Sequence, residues 1–325
     1  MHWEYAKVLP LFVSIENAVL QSDGGMLCQL SCEEGSAQME LFSVLPGVFF
    51  LDYKMDTHSC SSMKPVDCPW VEISYCSSGR MECRMQDGCC LYMGEGEVFL
   101  SRVRNHSQRM DFPLGHYRGL SILVDEEELM DHLPVALQEA GVSLPKLFQR
   151  LFAEDDCCLI HRGEEVERVF SGLSSAPPLA RQAYLQLKAQ EFLLYLSFWE
   201  GIGGKKQRAF PPEQVEIAKR VQQRLTQDLR EPITIEQLAQ EFNISATALK
   251  SCFKGVYGMP IAAYRKDWRM RRAALLLEKE GMTVAQAAHM VGYENQSKFA
   301  AAFKESMGDS PLEYRRKSKE EIPRG

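Results

Sequence analysis

The spacing of apolar residues changes along this chain, and the changes divide it. Up to about residue 125, apolar positions come in short alternating runs. Val71, Ile73 and Tyr75 alternate with Glu72, Ser74 and Cys76 until Gly79 interrupts, and Met81, Cys83 and Met85 resume the pattern before the turn signal Asp87-Gly88. Gly94-Glu95-Gly96 leads into Val98-Phe99-Leu100, and Leu120-Ser121-Ile122-Leu123-Val124 closes the series. Short strands between Gly-rich turns predict a β-sandwich or small barrel. From Asp125 onward the spacing becomes helical. Leu185, Ala189, Phe192, Leu196 and Trp199 form one stripe, and Leu187, Leu194 and Phe198 form a second. A helix apolar on two faces needs two partners, and the candidates are its own domain and a second subunit. The heptad-like spacing of the first stripe assigns it to a dimer contact. Gly201 to Arg208, followed by Pro211-Pro212, is polar and Gly-rich and reads as a linker.

Beyond the linker one pattern occurs twice. FKGVYGMPIAAYR (Phe253–Arg265) aligns with FKESMGDSPLEYR (Phe303–Arg315) at a shift of 50, with Phe, Lys, Gly, Tyr and Arg in identical places. Upstream, Thr234-Ile235-Glu236-Gln237 matches Thr283-Val284-Ala285-Gln286, a Thr-x-x-Gln capping box in each copy. Ala239 and Ala288 stand four positions before Asn243 and Gly292, residues that accept a left-handed turn. Ser245 and Asn295 are then N-caps for a second helix. Each copy is therefore helix, tight turn, helix, the arrangement with which many proteins read DNA. Between the copies, Pro260 opens a helical run through Ile261, Tyr264, Trp268, Ala273, Leu276 and Leu277 to about Glu280. About 20 residues rising ~1.5 Å each make a rod of roughly 30 Å. That is close to the ~34 Å between successive major grooves on one face of B-DNA.

Charge strengthens this reading. The whole chain of 325 residues carries a net charge of −7. Residues 213–325 hold 19 Lys and Arg against 15 Asp and Glu, whereas residues 1–212 hold 18 against 29. A basic C-terminal third on an acidic body suits a nucleic-acid-binding module attached to a domain of another kind. No apolar run approaches the ~18 residues of a membrane span. Met1-His2-Trp3-Glu4-Tyr5 lacks the features of an export signal, and 11 cysteines without such a signal read as reduced thiols. The expectation is a cytoplasmic protein with no membrane contact.

ITIEQLAQEFNIS (233–245), YRKDWRMRRAALLL (264–277) and MTVAQAAHMVGYENQSKFAAAFKESMGDSPLEYR (282–315) resemble the DNA-binding domain of AraC/XylS-type transcription regulators. The resemblance spans residues 213–317, about a third of the chain, and is most specific in its last segment. It implies a seven-helix domain, double-stranded promoter DNA and RNA polymerase as partners, and a small-molecule effector. The first 125 residues are loosely similar to the cupin-like effector domain of many members, without the His-x-His, Glu and His set of enzymatic cupins. The helical segment before the linker and ISATALKSCFKGVYG look closest to siderophore-responsive members, which makes an iron–siderophore one candidate effector. Carried over by position, the residues facing the major groove are Thr247, Lys250 and Ser251 in the first copy and Gln296, Ser297, Lys298 and Ala301 in the second. Lys254 and Lys304 fall one turn further on, toward phosphates. Lys250 and Lys298 suit guanine, Gln296 adenine, and Ala301 only a thymine methyl. Many members carry a long polar side chain where Ala301 stands, so the second copy is left with fewer base contacts. Leu249, Phe253, Phe299 and Phe303 belong to the opposite, core face, and Arg269 orders the two copies rather than touching DNA.

Other chemistry finds little footing. Cys89-Cys90 and Cys157-Cys158, with Cys60, Cys68, Cys76 and Cys83, admit a metal or redox reading, but no C-x₂-C spacing accompanies them. Buried small hydrophobes are the other reading of these thiols. His58, His106 and His116 are scattered, Gly94-x-Gly96 lacks the Lys-Ser/Thr of a phosphate loop, and no nucleophile lies near a base. No catalytic residue, cofactor or metal ligand is assigned. The expected architecture is α+β: a cupin-like β-barrel or sandwich over 1–125, a helical connector over 126–209, and an all-α double helix-turn-helix domain over 210–325. The expected function is that of a homodimeric, effector-controlled, sequence-specific DNA-binding transcription regulator. An enzyme, or a metal- or thiol-sensing domain, fused to a DNA tether is the alternative.

Overall fold

The computed structural model describes residues 2–64, 66–84, 88–153, 156–170, 180–199, 209–278 and 281–320. The chain forms two compact units, Met1–Pro211 and Pro212–Gly325. The first is built on antiparallel strands: β1 (Ile15–Leu20), β2 (Met26–Leu30), β3 (Ser36–Leu45), β4 (Val48–Asp56), β5 (Ser59–Ser61), β6 (Trp70–Arg84), β7 (Cys90–Gly94), β8 (Val98–Arg102), β9 (Arg109–Asp111), β10 (Tyr117–Asp125) and β11 (Cys157–Ile160). Their order is β1-β2-β3-β4-β10-β6-β8-β11, with β7 added to β6 and β9 paired to both β5 and β6.

Strand β6 organises this layout. Its first half pairs with β10 and β8, and its second half pairs with β7. The sequence predicts two strands here, broken at Gly79. Instead one strand runs through, because Gly79 takes φ +87 and the pairing with β10 shifts register beside it. The glycine bends the strand without ending it, as a bulge does. A Cβ at this position would lie 2.3 Å from the His116 carbonyl oxygen, so no other residue fits. Met85 and Asp87, from the expected turn, lie outside the described residues.

The central strands are buried on both faces. Val48, Phe50, Val71, Ile73, Ile122 and Val124 enter one core, while Phe49, Leu51, Tyr53, Cys76 and Leu123 enter another. Helices close the first core: α2 (Glu126–Asp131), α3 (Val135–Glu139), α4 (Leu144–Leu151), α5 (Glu164–Phe170) and α6 (Arg181–Phe198), while α1 (His2–Val8) packs on the second. The described helices of the stretch 126–209, expected as a connector, thus share a core with the strands. The same stretch also returns one strand, β11, to the free edge of β8, which its helical reading did not foresee.

One assignment is overturned by this packing. Leu185, Ala189, Phe192 and Leu196, expected at a dimer contact, are buried in the unit's own core, and half-buried Trp199 packs against it. The stripe faces strand β3, held there by Arg181, which bonds Glu40 at 2.8 Å and covers the Phe42 ring. A face already closed within one chain is not available to a second. The other stripe is the open one: Leu187 is 67% exposed, Leu194 39% and Phe198 56%.

Most of the expected linker, including Gly203-Gly204, lies outside the described residues. Its far end is anchored: Phe210 and Cys90 exchange two backbone hydrogen bonds of 2.9 Å, and the Phe210 ring packs on Tyr92. No described helix is long and apolar enough to cross a membrane.

The second unit is all helical: α7 (Pro212–Gln227), α8 (Ile235–Glu241), α9 (Ala246–Tyr257), α10 (Ile261–Glu278), α11 (Val284–Met290), α12 (Gln296–Met307) and α13 (Pro311–Glu320).

Candidate nucleic-acid interface

Helices α8–α9 and α11–α12 are two copies of one structure. Both first helices open on a complete capping box. The Thr234 hydroxyl accepts from Gln237 N–H at 3.1 Å while the Gln237 side chain accepts from Thr234 N–H at 2.8 Å. Thr283 and Gln286 repeat this at 3.2 and 2.9 Å. The turns pass through Asn243 at φ 50 and Gly292 at φ 78, both left-handed. Ser245 and Asn295 then cap the second helices, accepting from Ala248 and Lys298 N–H at 3.2 and 3.0 Å. These bonds satisfy donors that a helix start leaves open.

The second helices sort their residues cleanly by face. Leu249, Phe253, Phe299 and Phe303 are fully buried. Thr247, Lys250, Lys254, Gln296, Ser297, Lys298, Ala301 and Lys304 are exposed, and Ser251 is half-buried. Most of these lie in the first turns of α9 and α12, where the helix dipole adds positive potential to that of the lysines. The rod between the copies, α10, has 18 residues and so spans about 27 Å.

Arginines hold the copies in place. Arg265 donates to the Glu231 carbonyl and Arg315 to the Gly281 carbonyl, each reaching back 34 residues to the loop before its own helix pair. This repeated clamp escaped the sequence reading, although the matched Tyr-Arg pairs were its visible trace. Arg269 donates to the Leu229 carbonyl beside the first copy and lies over the Tyr293 ring of the second. Gly292 fits against the same loop, since a Cβ there would lie 2.6 Å from the Leu229 carbonyl oxygen. Burial holds the Arg265 and Arg269 guanidinium pKa values below the usual range, and the Arg269 charge adds to the effect on Arg265. Lys266 ties α10 to α12 through Glu305 at 2.7 Å.

In the first unit, polar groups gather inside the strands. Glu72 is 8% exposed and accepts from the Tyr53 hydroxyl at 3.4 Å. It lies 3.5 Å from His106, which also meets Ser101 at 3.0 Å. Burial pushes the His106 pKa down, against the pull of Glu72. Burial raises the Cys28 thiol to about 11 and the Cys60 and Cys76 thiols to about 12. Among the described residues, no three His, Cys, Asp or Glu side chains are grouped to hold a metal.

Comparison with known proteins places the second unit in a class. Residues 238–317 match the family model of a helix-turn-helix domain. The arabinose operon regulatory protein of Escherichia coli K12 is 32% identical over 88 residues, which are 27% of this chain and 30% of that protein. The HTH-type transcriptional regulator AlkR of Acinetobacter baylyi is 32% identical over 87 residues, 27% of this chain and 28% of that protein. The C-terminal domain of the response regulator AraT from Geobacillus stearothermophilus matches at 32% identity and a TM-score of 0.30, covering 31% of this chain and 84% of that domain. The C-terminal unit is thus an AraC-type helix-turn-helix domain. The chain spans less than a third of the length of each of these two regulators.

Proposed function

We propose that the protein is a sequence-specific DNA-binding transcription regulator in which both helix pairs read DNA. The observation that carries this reading is the duplication itself. Two capped pairs, alike in their caps, left-handed turns and Arg265/Arg315 clamps, present exposed Lys, Gln, Ser and Thr on their second helices and are joined by a rod helix of 18 residues, about 27 Å long. Thr247, Lys250 and Ser251 read bases in one major groove, and Gln296, Ser297, Lys298 and Ala301 read the next. Lys254 and Lys304 contact phosphates.

The first unit serves as effector and dimer domain. The polar group around Glu72 and His106 offers a small-molecule effector specific partners inside an otherwise apolar shell. The exposed stripe Leu187, Leu194 and Phe198 is the dimer contact in place of the buried one. RNA polymerase is the further partner at the promoter. The similar regulators, of an arabinose operon and AlkR, give no support to an iron–siderophore effector. Burial raises the Cys28, Cys60 and Cys76 thiols to about 11 to 12, which speaks against these three as reactive sensing thiols.

Selection of binding sites from random duplex DNA by the full-length protein tests the reading. It should recover a bipartite site whose halves are separated by ~10 base pairs. Recovery of a single short half-site, or of no preferred sequence, overturns it.

A further inference from the structure

A cleft of about 250 Å³ lies within the second unit, bordered by the first helix pair, the rod helix α10 and the turn of the second pair. Ile233, Ile235 and Ile261 give it apolar walls, and Arg265 and Arg269 line it from α10. The two arginines stand one helical turn apart, where like charges destabilise a helix. Each donates to a backbone carbonyl, and neither forms an ion pair among the described residues. Lys266, the third cation on this stretch, is occupied by Glu305. The cleft therefore joins a hydrocarbon surface to two partly buried guanidinium groups, of which Arg265 is eased by Glu231 and Asp228 at a distance and neither has a directly bonded carboxylate among the described residues.

We propose that this cleft binds a small organic carboxylate with a compact apolar body. The planar guanidinium fork matches a carboxylate in shape and charge, and the isoleucines match the body. The volume falls just below the ~300 Å³ at which drug-sized pockets begin, so the ligand has on the order of ten non-hydrogen atoms. Because the walls come from both helix pairs, an occupant biases the placement of α9 relative to α12 and so the DNA spacing that the unit accepts. Binding itself does not depend on the DNA-reading proposal, and the two can fail separately.

The test is calorimetric titration of the full-length protein with phenylacetate, beside 2-phenylethanol, a neutral probe of nearly the same shape. Phenylacetate should bind, 2-phenylethanol should bind at least about tenfold more weakly, and Arg269→Gln should remove that difference. Ala262→Trp places a ring in the cleft from its exposed rim and should abolish binding with an unchanged circular dichroism spectrum. Should that variant fail to fold, Ile235→Trp fills the cleft from the opposite wall. Equal binding of the two probes, no binding of phenylacetate, or binding that survives the filled cleft overturns the proposal. So does a loss of one phosphate's worth of salt dependence in DNA binding for each of Arg265→Gln and Arg269→Gln, which would make the arginines DNA contacts.

Discussion

The five residues repeated between Phe253–Arg265 and Phe303–Arg315 do two kinds of work. Phe253 meets Tyr264 edge-on at 5.4 Å, and Phe303 meets Tyr314 at 5.5 Å. Gly258 and Gly308 close α9 and α12 at positive φ, and Arg265 and Arg315 clamp their loops. These four pairs are explained by packing. Lys254 and Lys304 are exposed, and charge at the surface is their contribution. Lys254→Ala and Lys304→Ala should each weaken binding to all DNA sequences alike and lower the slope of log affinity against log salt by about 0.9. A change that relaxes base preference and leaves the slope intact would make them base contacts. In the first unit, His106 gives a pH dependence. Its folded-state pKa lies below the ordinary value of about 6.5, so the unfolded chain takes up a proton first as pH falls. Stability contributed by neutral His106 is complete above about pH 6.5 and is lost as pH falls from there toward the depressed pKa. Urea unfolding between pH 7.5 and 5, on the order of the range where histidines titrate, should show that loss in wild type and less of it in His106→Gln. Equal slopes would exclude the histidine as the source.

Elements were legible where a local bond sets them and obscure where long-range burial does. The capping boxes at Thr234 and Thr283, the N-caps at Ser245 and Asn295 and the left-handed turns at Asn243 and Gly292 are contacts within four residues, so their pattern survives in sequence. The β-region is different. Val48-Phe49-Phe50-Leu51 sends successive side chains into two cores, so it shows no alternation, and β11 forms only because β8 presents a free edge. The same reason hid the fate of the 185–199 stripe, since periodicity identifies an apolar face without naming what covers it. At this scale the turn of the first pair is testable. Asn243 holds a left-handed conformation as a non-glycine residue. Asn243→Ala should cost about 1 kcal/mol of stability and Asn243→Gly much less. Thermal unfolding that ranks the two variants the other way would show that the asparagine side chain, rather than the backbone, supports the turn.

For the whole molecule, the proposed function rests on two surfaces: the exposed stripe on α6 and the second helices of the C-terminal unit. Phe192 is 3% exposed within the first core, so Phe192→Glu should unfold that unit rather than dissociate a dimer. Leu187→Glu and Phe198→Glu, on the open face, should keep the circular dichroism spectrum and convert a dimer to a monomer in sedimentation. A folded, monomeric Phe192→Glu would reverse that assignment. The cleft lined by Arg265 and Arg269 had no trace in the sequence, because its walls come from segments about 70 residues apart. The exposure of the residues proposed to read DNA was more legible, since the helices that carry them are set by repeated local caps. The central claim is that one chain reads two successive grooves, and base-resolved site selection with wild type, Lys250→Ala and Lys298→Ala tests it most directly. Each variant should lose preference at one short patch, at a cost of about 1–3 kcal/mol on the matched site, and the two patches should lie about 10 base pairs apart. If both variants lose preference at the same base pairs, the two helix pairs do not occupy separate grooves and the account is wrong.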